Sequence, residues 1–259
     1  GTIIASFQAS AVSYLYYADR VYQINLAIAG IAIGTVILPN LSRHIKTANK
    51  KKIDFIQIKS FELCLFLSLP ASMALVVGSE EIISALFGYG AFDYVSVSNS
   101  AKALYYFALG LPAFALIKVF STFLFARDNT KTPFYYSLLS VVINISISIL
   151  FFNKIGFIII PIATTISSWI NAFLLFSKLS INNHFKFTSV LNNSNLKIFL
   201  ISMFSVYIFD IMLNIFSDYL GYASEFKLFT IIVLIVITFL IYIFISLLTK
   251  TFKYSDIKL

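Results

Sequence analysis

One arginine lies inside an apolar stretch that is long enough to cross a membrane as a helix. Arg20 belongs to residues 14–39, and a charge within the hydrocarbon region costs about 2.5–3.5 kcal/mol. Helical spacing places Tyr16, Tyr17 and Gln23 on the same face as Arg20. A guanidinium flanked by hydrogen-bonding side chains suits a phosphate or carboxylate, because its planar fork can hold two oxygen atoms. The residues therefore predict an anion-binding stripe.

Arg20 also has a structural interpretation. It lies near the start of its helix, so its side chain could reach the membrane interface or pair with a carboxylate of another helix. Asp19 points about 100° away around the helix, which makes it a poor partner. The sequence leaves both interpretations open. By contrast, Lys59 and Glu62 are spaced i,i+3 and are expected to pair with each other.

Lys118 is a second charge inside an apolar stretch. It precedes Arg127 by nine residues, which places it about 13 Å of helical rise from the end of its span. One interpretation is that Lys118 faces a water-lined cavity. The other is that it reaches the interface or pairs with an acid. In a cavity shared with Arg20, it would supply a second positive charge for an anionic ligand.

Hydroxyl and amide side chains cluster on two later stretches of the chain. The first carries an asparagine and two serines, and the second carries two threonines and two serines: Asn144, Ser146, Ser148, Thr164, Thr165, Ser167 and Ser168. Hydrogen bonding between the two helices would account for them. A small cation site is the alternative, although neither stretch contains a carboxylate.

These side chains are carried by a strongly apolar chain. Of its 259 residues, 59% are hydrophobic and 12% are charged, whereas soluble domains have about 25% charged residues. This composition predicts an all-α, multi-pass membrane protein. The net charge of +8 is divided among loops, so it predicts orientation in the membrane and no nucleic-acid partner. The first residues, from Gly1, are typical of a helix end, and we expect the chain to be the C-terminal part of a longer protein.

Seven stretches have the length and apolarity of membrane-spanning helices: 14–39, 55–78, 103–125, 134–152, 155–177, 197–216 and 228–249. Thirteen lysines and arginines follow spans that end on one side, and three lie on the other side, namely Lys102, Lys154 and Lys227. The side with more positive charge is expected to face the cytoplasm. The external side holds loop 79–102, which is expected to begin as a short amphipathic helix with Glu80 and Glu81 in its first turn.

A polar segment divides the chain. We expect residues 1–180 to form a helical lobe, 181–196 a cytoplasmic linker, and 197–259 a transmembrane hairpin with a terminal tail. The last span contains no charged residue, and the hairpin is expected to lie apart from the lobe. It would serve either as a simple anchor or as a groove for a lipid tail.

Enzyme signatures are missing from the sequence. His44 and His184 lie in predicted loops without metal-ligand spacing. There is no nucleophile-elbow motif, no phosphate-binding glycine loop and no pair of intramembrane acids to hold Mg²⁺. We therefore expect a protein that binds or moves a molecule without altering it, and that needs no cofactor.

Two segments resemble a known family. YYADRVYQINLAIAGIAIGTVILPNLSR at 16–43 and FALGLPAFALIKVFSTFLFARDNTKTP at 107–133 resemble the MurJ/MviN lipid II flippases of the MOP superfamily. The resemblance covers residues 1 to about 180, and the last two helices resemble the family only in hydropathy. It implies fourteen helices in two six-helix lobes plus a C-terminal hairpin. This chain would hold the end of helix seven and helices eight to fourteen.

The resemblance implies a function. Such flippases carry lipid II, an undecaprenyl-pyrophosphate-linked peptidoglycan precursor, to the outer leaflet of the bacterial inner membrane for cell-wall synthesis. It implies that Arg20 binds the substrate, and Tyr17, Gln23 and Lys118 are predicted to assist. Lipid II, membrane lipids and an N-terminal lobe of the same protein are the implied partners.

The resemblance also bears on energy coupling. In a relative, sodium is held by residues that match Asn144 and Thr164, with an aspartate at the position of Ser148. Coupling to sodium or to the membrane potential is therefore an expectation. The alternative functions are a flippase for another prenyl-linked oligosaccharide, a multidrug antiporter of the same superfamily, or a membrane-embedded enzyme acting on prenyl phosphates. The missing acidic metal motif counts against the enzyme.

Overall fold

The computed structural model describes residues 1–186, 188 and 192–251, with the side chains of residues 28–36 excepted, and this part of the chain is all-α. Its helices are α1 Thr2–Ala5, α2 Ala11–Lys46, α3 Lys50–Val77, α4 Ser79–Phe87, α5 Tyr94–Phe125, α6 Lys131–Ile155, α7 Ile159–Ile181, α8 Asn193–Ile215, α9 Ser217–Leu220 and α10 Lys227–Leu248. A 3₁₀ turn, Gly156–Ile158, joins α6 to α7. The predicted fold class is confirmed.

Five segments of the described chain are long and apolar enough to cross a membrane: Lys50–Val77, Tyr94–Phe125, Lys131–Ile181, Asn193–Ile215 and Lys227–Leu248. Since Lys131–Ile181 contains both α6 and α7, these segments account for six of the seven predicted spans. The remaining span, 14–39, lies within α2, which continues through Pro39 to Lys46. The helices therefore agree with a multi-pass membrane protein.

Helix α5 lies at the centre of the lobe and packs against α2, α3 and α7. The Asp93 carboxylate caps it by accepting a hydrogen bond from the Ser96 backbone N at 2.8 Å. This cap starts α5 nine residues before the predicted span 103–125, so the external loop is shorter than expected. Small residues allow close packing, since a β-carbon at Gly110 would lie 2.8 Å from Oγ1 of Thr165 on α7.

Helices α6 and α7 form a hairpin at the edge of the lobe. The turn between them contains Gly156 at φ +75°, a conformation that glycine adopts without steric cost. Oε1 of Gln8 accepts a hydrogen bond from the Phe157 backbone N at 2.9 Å, so the segment before α2 helps to fix this turn. Only Pro133 and Ser148 of α6 are buried. Most of α6 therefore presents an apolar surface outward.

Helices α8 and α10 form the C-terminal hairpin, which packs on α3 and α4. The buried Tyr242 hydroxyl donates to the Phe66 backbone oxygen at 2.9 Å. Because this contact and the surrounding side chains are buried, the hairpin lies against the lobe and not apart from it. The linker 181–196 and the tail fall partly outside the described residues. The division at these boundaries stays a prediction.

Candidate functional site

Arg20 lies on the exposed face of α2, together with Tyr16 and Gln23. Its Nη2 donates to the Tyr16 hydroxyl at 2.9 Å, and its guanidinium carbon lies 4.7 Å from the centre of the Tyr16 ring. Gln23 donates to the carboxylate of Asp19, one turn away. The tyrosine orients the guanidinium, which keeps further N–H donors for a ligand.

The structural interpretation of Arg20 requires a carboxylate partner. Within the described part of the chain, the one salt bridge joins Lys59 and Glu62 at 2.9 Å, which confirms that predicted pair. Asp19 accepts its hydrogen bond from Gln23 and forms no salt bridge with Arg20. An arginine on an exposed helix face that forms no salt bridge within the described part of the chain favours a ligand-binding role.

Tyr17 is placed differently from its neighbours on α2. Its ring lies 4.8 Å from that of Phe87 at the end of α4 and 4.8 Å from that of Phe92 in the external loop. The side chain is half-buried by these contacts. Tyr17 therefore anchors α2 to the external loop, and its predicted contact with the substrate stays a prediction.

Lys118 is exposed in an open groove of about 820 Å³ between the end of α5 and the start of α6. The lining of this α5–α6 groove also includes Lys131, Thr122 and Phe134, and it contains none of the α2 side chains that the structure describes. Two lysines and apolar walls give it the character of a site for an anionic amphiphile. The cavity-facing interpretation of Lys118 fits this position.

The structure does not bring Lys118 and Arg20 together. Tyr22, two residues after Arg20, stacks on Phe107 at 5.6 Å and contacts Phe114 at 5.7 Å. Lys118 lies one turn beyond Phe114, nearer to the predicted cytoplasmic end, and the described α2 side chains, including that of Arg20, do not line its groove. Within this chain, the two cations therefore belong to separate surfaces.

Asn144, Ser148 and Thr164 meet in the hairpin of α6 and α7. Nδ2 of Asn144 donates to Oγ1 of Thr164 at 3.0 Å, and Oγ1 of Thr164 donates to the Ile160 backbone oxygen at 2.8 Å. Ser148 is fully buried, and its hydroxyl has no hydrogen-bond partner among the described residues. Hydrogen bonding between these helices is confirmed. The residues present supply neutral oxygen atoms only, and a cation there stays a prediction.

An aromatic anchor in the linker was not predicted from the sequence. Phe185 is 4% exposed and contacts four rings of the lobe at centroid distances of 5.6–6.3 Å, those of Phe61, Phe120, Phe123 and Phe176. Burial, assisted by the charge of Arg127, lowers the pKa of the adjacent His184. A phenylalanine within an otherwise polar segment was the signal that could have identified this contact. We call these five rings the phenylalanine cluster.

A buried lysine was also missed. Lys227, at the start of α10, is 1% exposed, and its Nζ donates to the backbone oxygens of Gly88 at 2.6 Å and Tyr222 at 2.7 Å. The same nitrogen lies 4.2 Å from the ring centre of Tyr89 and 4.8 Å from that of Tyr222. We call this arrangement the Lys227 cage. In the sequence, the sign of this buried lysine was its position on the side of the membrane that carries few positive charges.

Comparison with known proteins adds the family. A family model described as lipid II flippase MurJ matches residues 1–230, which is most of the chain. The chain belongs to this family. A probable lipid II flippase MurJ of Rhizobium meliloti (strain 1021) is 42% identical over 183 residues, covering 71% of this chain and 34% of the relative. Another from Rickettsia prowazekii (strain Madrid E) is 37% identical over 174 residues, covering 67% and 34%.

A solved MurJ structure shares the fold. It is described as lipid II flippase MurJ, inward closed conformation, and it superposes with a TM-score of 0.76 at 27% sequence identity. The match covers 95% of this chain and 49% of the solved one, and the chain spans about a third of the length of the curated relatives. This partial coverage fits the C-terminal portion of a MurJ flippase. Membership in this family, together with the five membrane-spanning segments of the described residues, confirms the predicted multi-pass membrane protein.

Proposed function

We propose that this chain forms the C-terminal part of a transporter that moves lipid II from the inner to the outer leaflet of the bacterial inner membrane. The exposed Arg20, which has no salt bridge within the described residues, carries the proposal. Moving a pyrophosphate across a membrane requires a cationic, hydrated path that replaces the water around the charge. The chain contributes to this path by binding the headgroup and leaves its covalent bonds unchanged, so it acts as a transporter and not as an enzyme.

In this proposal, Arg20 binds the pyrophosphate. Arginine stays charged when it is partly desolvated, and its fork can hold two phosphate oxygens. Tyr16 holds the guanidinium in place, and Gln23 on the same face adds a hydrogen-bonding group. Lys118 in the α5–α6 groove supplies a separate anion contact nearer to the cytoplasmic end, consistent with successive positions of one headgroup.

Substitution of Arg20 tests the proposal in the full-length protein reconstituted in liposomes. Arg20→Ala should abolish lipid II flipping while membrane abundance stays normal. Arg20→Lys should recover it only in part, because an ammonium keeps the charge and loses the fork. Arg43→Ala, at the exposed end of the same helix, is the matched control and should flip normally. Normal flipping by a well-folded Arg20→Ala protein would remove Arg20 from the mechanism.

We also propose that a monovalent cation binds between α6 and α7 and couples to transport. Support comes from the unpartnered hydroxyl of the fully buried Ser148, next to the hydrogen-bonded pair Asn144 and Thr164. Sodium should raise the thermal unfolding temperature of the protein more than potassium at equal ionic strength, and Ser148→Ala should remove the difference. An equal response to both salts contradicts the site and favours coupling to the membrane potential alone.

A further inference from the structure

A second pocket lies on the external side, away from Arg20 and from the α5–α6 groove. It has a volume of about 270 Å³ and lies where the first turn of α4 meets the start of α5 and the turn between α8 and α10. Glu80, Glu81 and Ser84 line it from α4, and Tyr94 lines it from α5. Among the described residues, the lining contains these two carboxylates and no lysine, arginine or histidine.

The negative charge of this external pocket is not neutralised by the described part of the chain. Neither Glu80 nor Glu81 forms a salt bridge there, and Asp210 adds a further negative charge that acts on Glu81. Burial, together with the charges of Glu80 and Asp210, raises the pKa of Glu81. The nearby cation Lys227 is bound by the carbonyl oxygens of its own cage and does not line the pocket. The pocket therefore carries a charge that a cationic ligand would offset.

Ser84 gives an independent indication that a ligand belongs in this pocket. It is 5% exposed, it lines the pocket, and its hydroxyl oxygen is buried without a hydrogen-bond partner among the described residues. Buried polar groups are nearly always paired with protein or with an ordered water molecule. A donor in the pocket would satisfy this hydroxyl as well as the carboxylates.

Aromatic rings suggest which kind of cation fits. The Tyr94 ring meets that of Tyr222 edge to face at a centroid distance of 6.2 Å. Both tyrosines line the pocket. Aromatic faces next to carboxylates bind organic ammonium groups. The described residues contain no group of three acidic, histidine or cysteine side chains that could hold a metal ion.

We propose that the external pocket binds an alkylammonium group, with Glu80 and Glu81 as the charge partners, Ser84 as a hydrogen-bond acceptor and the two tyrosines as an aromatic wall. The ammonium could belong to a free diamine or to a lysine-like side chain of a peptide. Because α4, α5 and the hairpin all contribute residues, a bound ammonium would fasten the hairpin to the lobe. This proposal does not depend on the transported substrate.

The test measures binding to the full-length protein in detergent. Two probes, 1,5-diaminopentane and Nα-acetyl-lysine amide, are titrated by calorimetry and thermal unfolding, and 1,5-pentanediol serves as the uncharged control. We expect saturable binding of at least one ammonium probe, a raised unfolding temperature and no response to the diol. The tighter of the two probes identifies the source of the ammonium.

Substitutions of the pocket residues test whether the ammonium probe binds in the external pocket. Glu80→Gln and Glu81→Gln should each weaken the affinity about tenfold, since each removes a charged hydrogen-bond acceptor. Ser84→Ala should weaken it less. Glu225→Gln is the matched control, because Glu225 is an exposed carboxylate of the same external region outside the pocket, and it should bind normally. The proposal is wrong if the diol binds equally, if both glutamine variants keep full affinity, or if calcium binds and neither ammonium probe does.

Discussion

The C-terminal hairpin and its linker are attached to the lobe at two ends that differ in chemistry. At the external end, the Lys227 cage uses two short hydrogen bonds from one buried cation. At the predicted cytoplasmic end, the Phe185 side chain enters the phenylalanine cluster through ring contacts. The cage depends on the direction of a few polar contacts, so one substitution can break it. The cluster depends on buried area and should tolerate any apolar side chain of similar volume.

The largest effect is expected at the phenylalanine cluster. Phe185→Ala leaves a cavity among four rings and should cost about 3–5 kcal/mol, whereas Phe185→Leu should cost less than about 1.5 kcal/mol. Thermal unfolding in detergent and hydrogen exchange at residues 182–186 measure the loss. Phe173→Ala removes a ring that is 68% exposed and should change little. Equal losses for Phe185→Ala and Phe173→Ala would contradict an anchoring role.

A smaller loss is expected at the external end. Lys227→Met keeps an unbranched side chain but leaves two buried carbonyl oxygens without a donor, which should cost about 1–3 kcal/mol. Hydrogen exchange should increase at residues 88–90 and 222–227, and exchange at residues 182–186 should stay unchanged. The control is Lys102→Met, which removes an exposed lysine. If hydrogen exchange in Lys227→Met also rises at residues 182–186, the two attachments unfold as one cooperative unit. That result would contradict the idea that they are independent.

Low pH should destabilise the attachment of the linker at the predicted cytoplasmic end and leave the external attachment unchanged. Burial and the charge of Arg127 lower the pKa of His184 from its usual 6.5. The neutral ring is favoured in the folded protein, so its contribution to stability is present above pH 6.5 and is lost as the pH falls through the lowered pKa. Hydrogen exchange at residues 182–186 should rise modestly below pH 6.5, and His184→Leu should remove that dependence. A cytoplasmic end that responds to pH identically in both proteins would exclude His184.

The smallest effect on stability is expected at Glu81, and its pH dependence is opposite in sign to that of His184. Its pKa is raised by burial and by Glu80 and Asp210, so the protonated form is favoured in the folded protein. The associated stability is present below about pH 4.5 and is lost as the pH rises through the raised pKa. Glu81→Gln should therefore slightly raise the unfolding temperature at neutral pH. Glu225→Gln should not, and a lower unfolding temperature for Glu81→Gln would contradict the sign.

The sequence predicted the features that depend on interactions within a single helix. The spans follow from runs of apolar residues, and the pair Lys59 and Glu62 follows from helical spacing. The exposed position of Arg20 beside Tyr16 and Gln23 follows from the same periodicity. Each of these features depends on residues within a few turns of one helix, so each can be predicted from a single sequence.

Contacts between distant segments could not be predicted in this way. Lys227 and Gly88 are 139 positions apart, and Tyr242 and Phe66 are 176 positions apart. The separation of Lys118 from Arg20 likewise depends on which helices are neighbours, and spacing along one helix does not determine that. The external pocket is formed by residues of α4, α5, α8 and α9, which are far apart in the sequence. From the sequence alone, Glu80 and Glu81 could be interpreted only as acidic residues in the first turn of a helix.

The contact between α5 and α7 has a mechanical consequence. Thr165 donates to the Tyr106 backbone oxygen at 2.6 Å, and Nε1 of Trp169 donates to that of Leu109 at 3.0 Å, in the turn of α5 that precedes the close approach at Gly110. Two helices joined by such bonds resist sliding past one another, so we expect them to tilt together. Helix α5 has 32 residues and is about 48 Å long. We therefore expect the external end of α5, which borders the acidic pocket, to move together with α7.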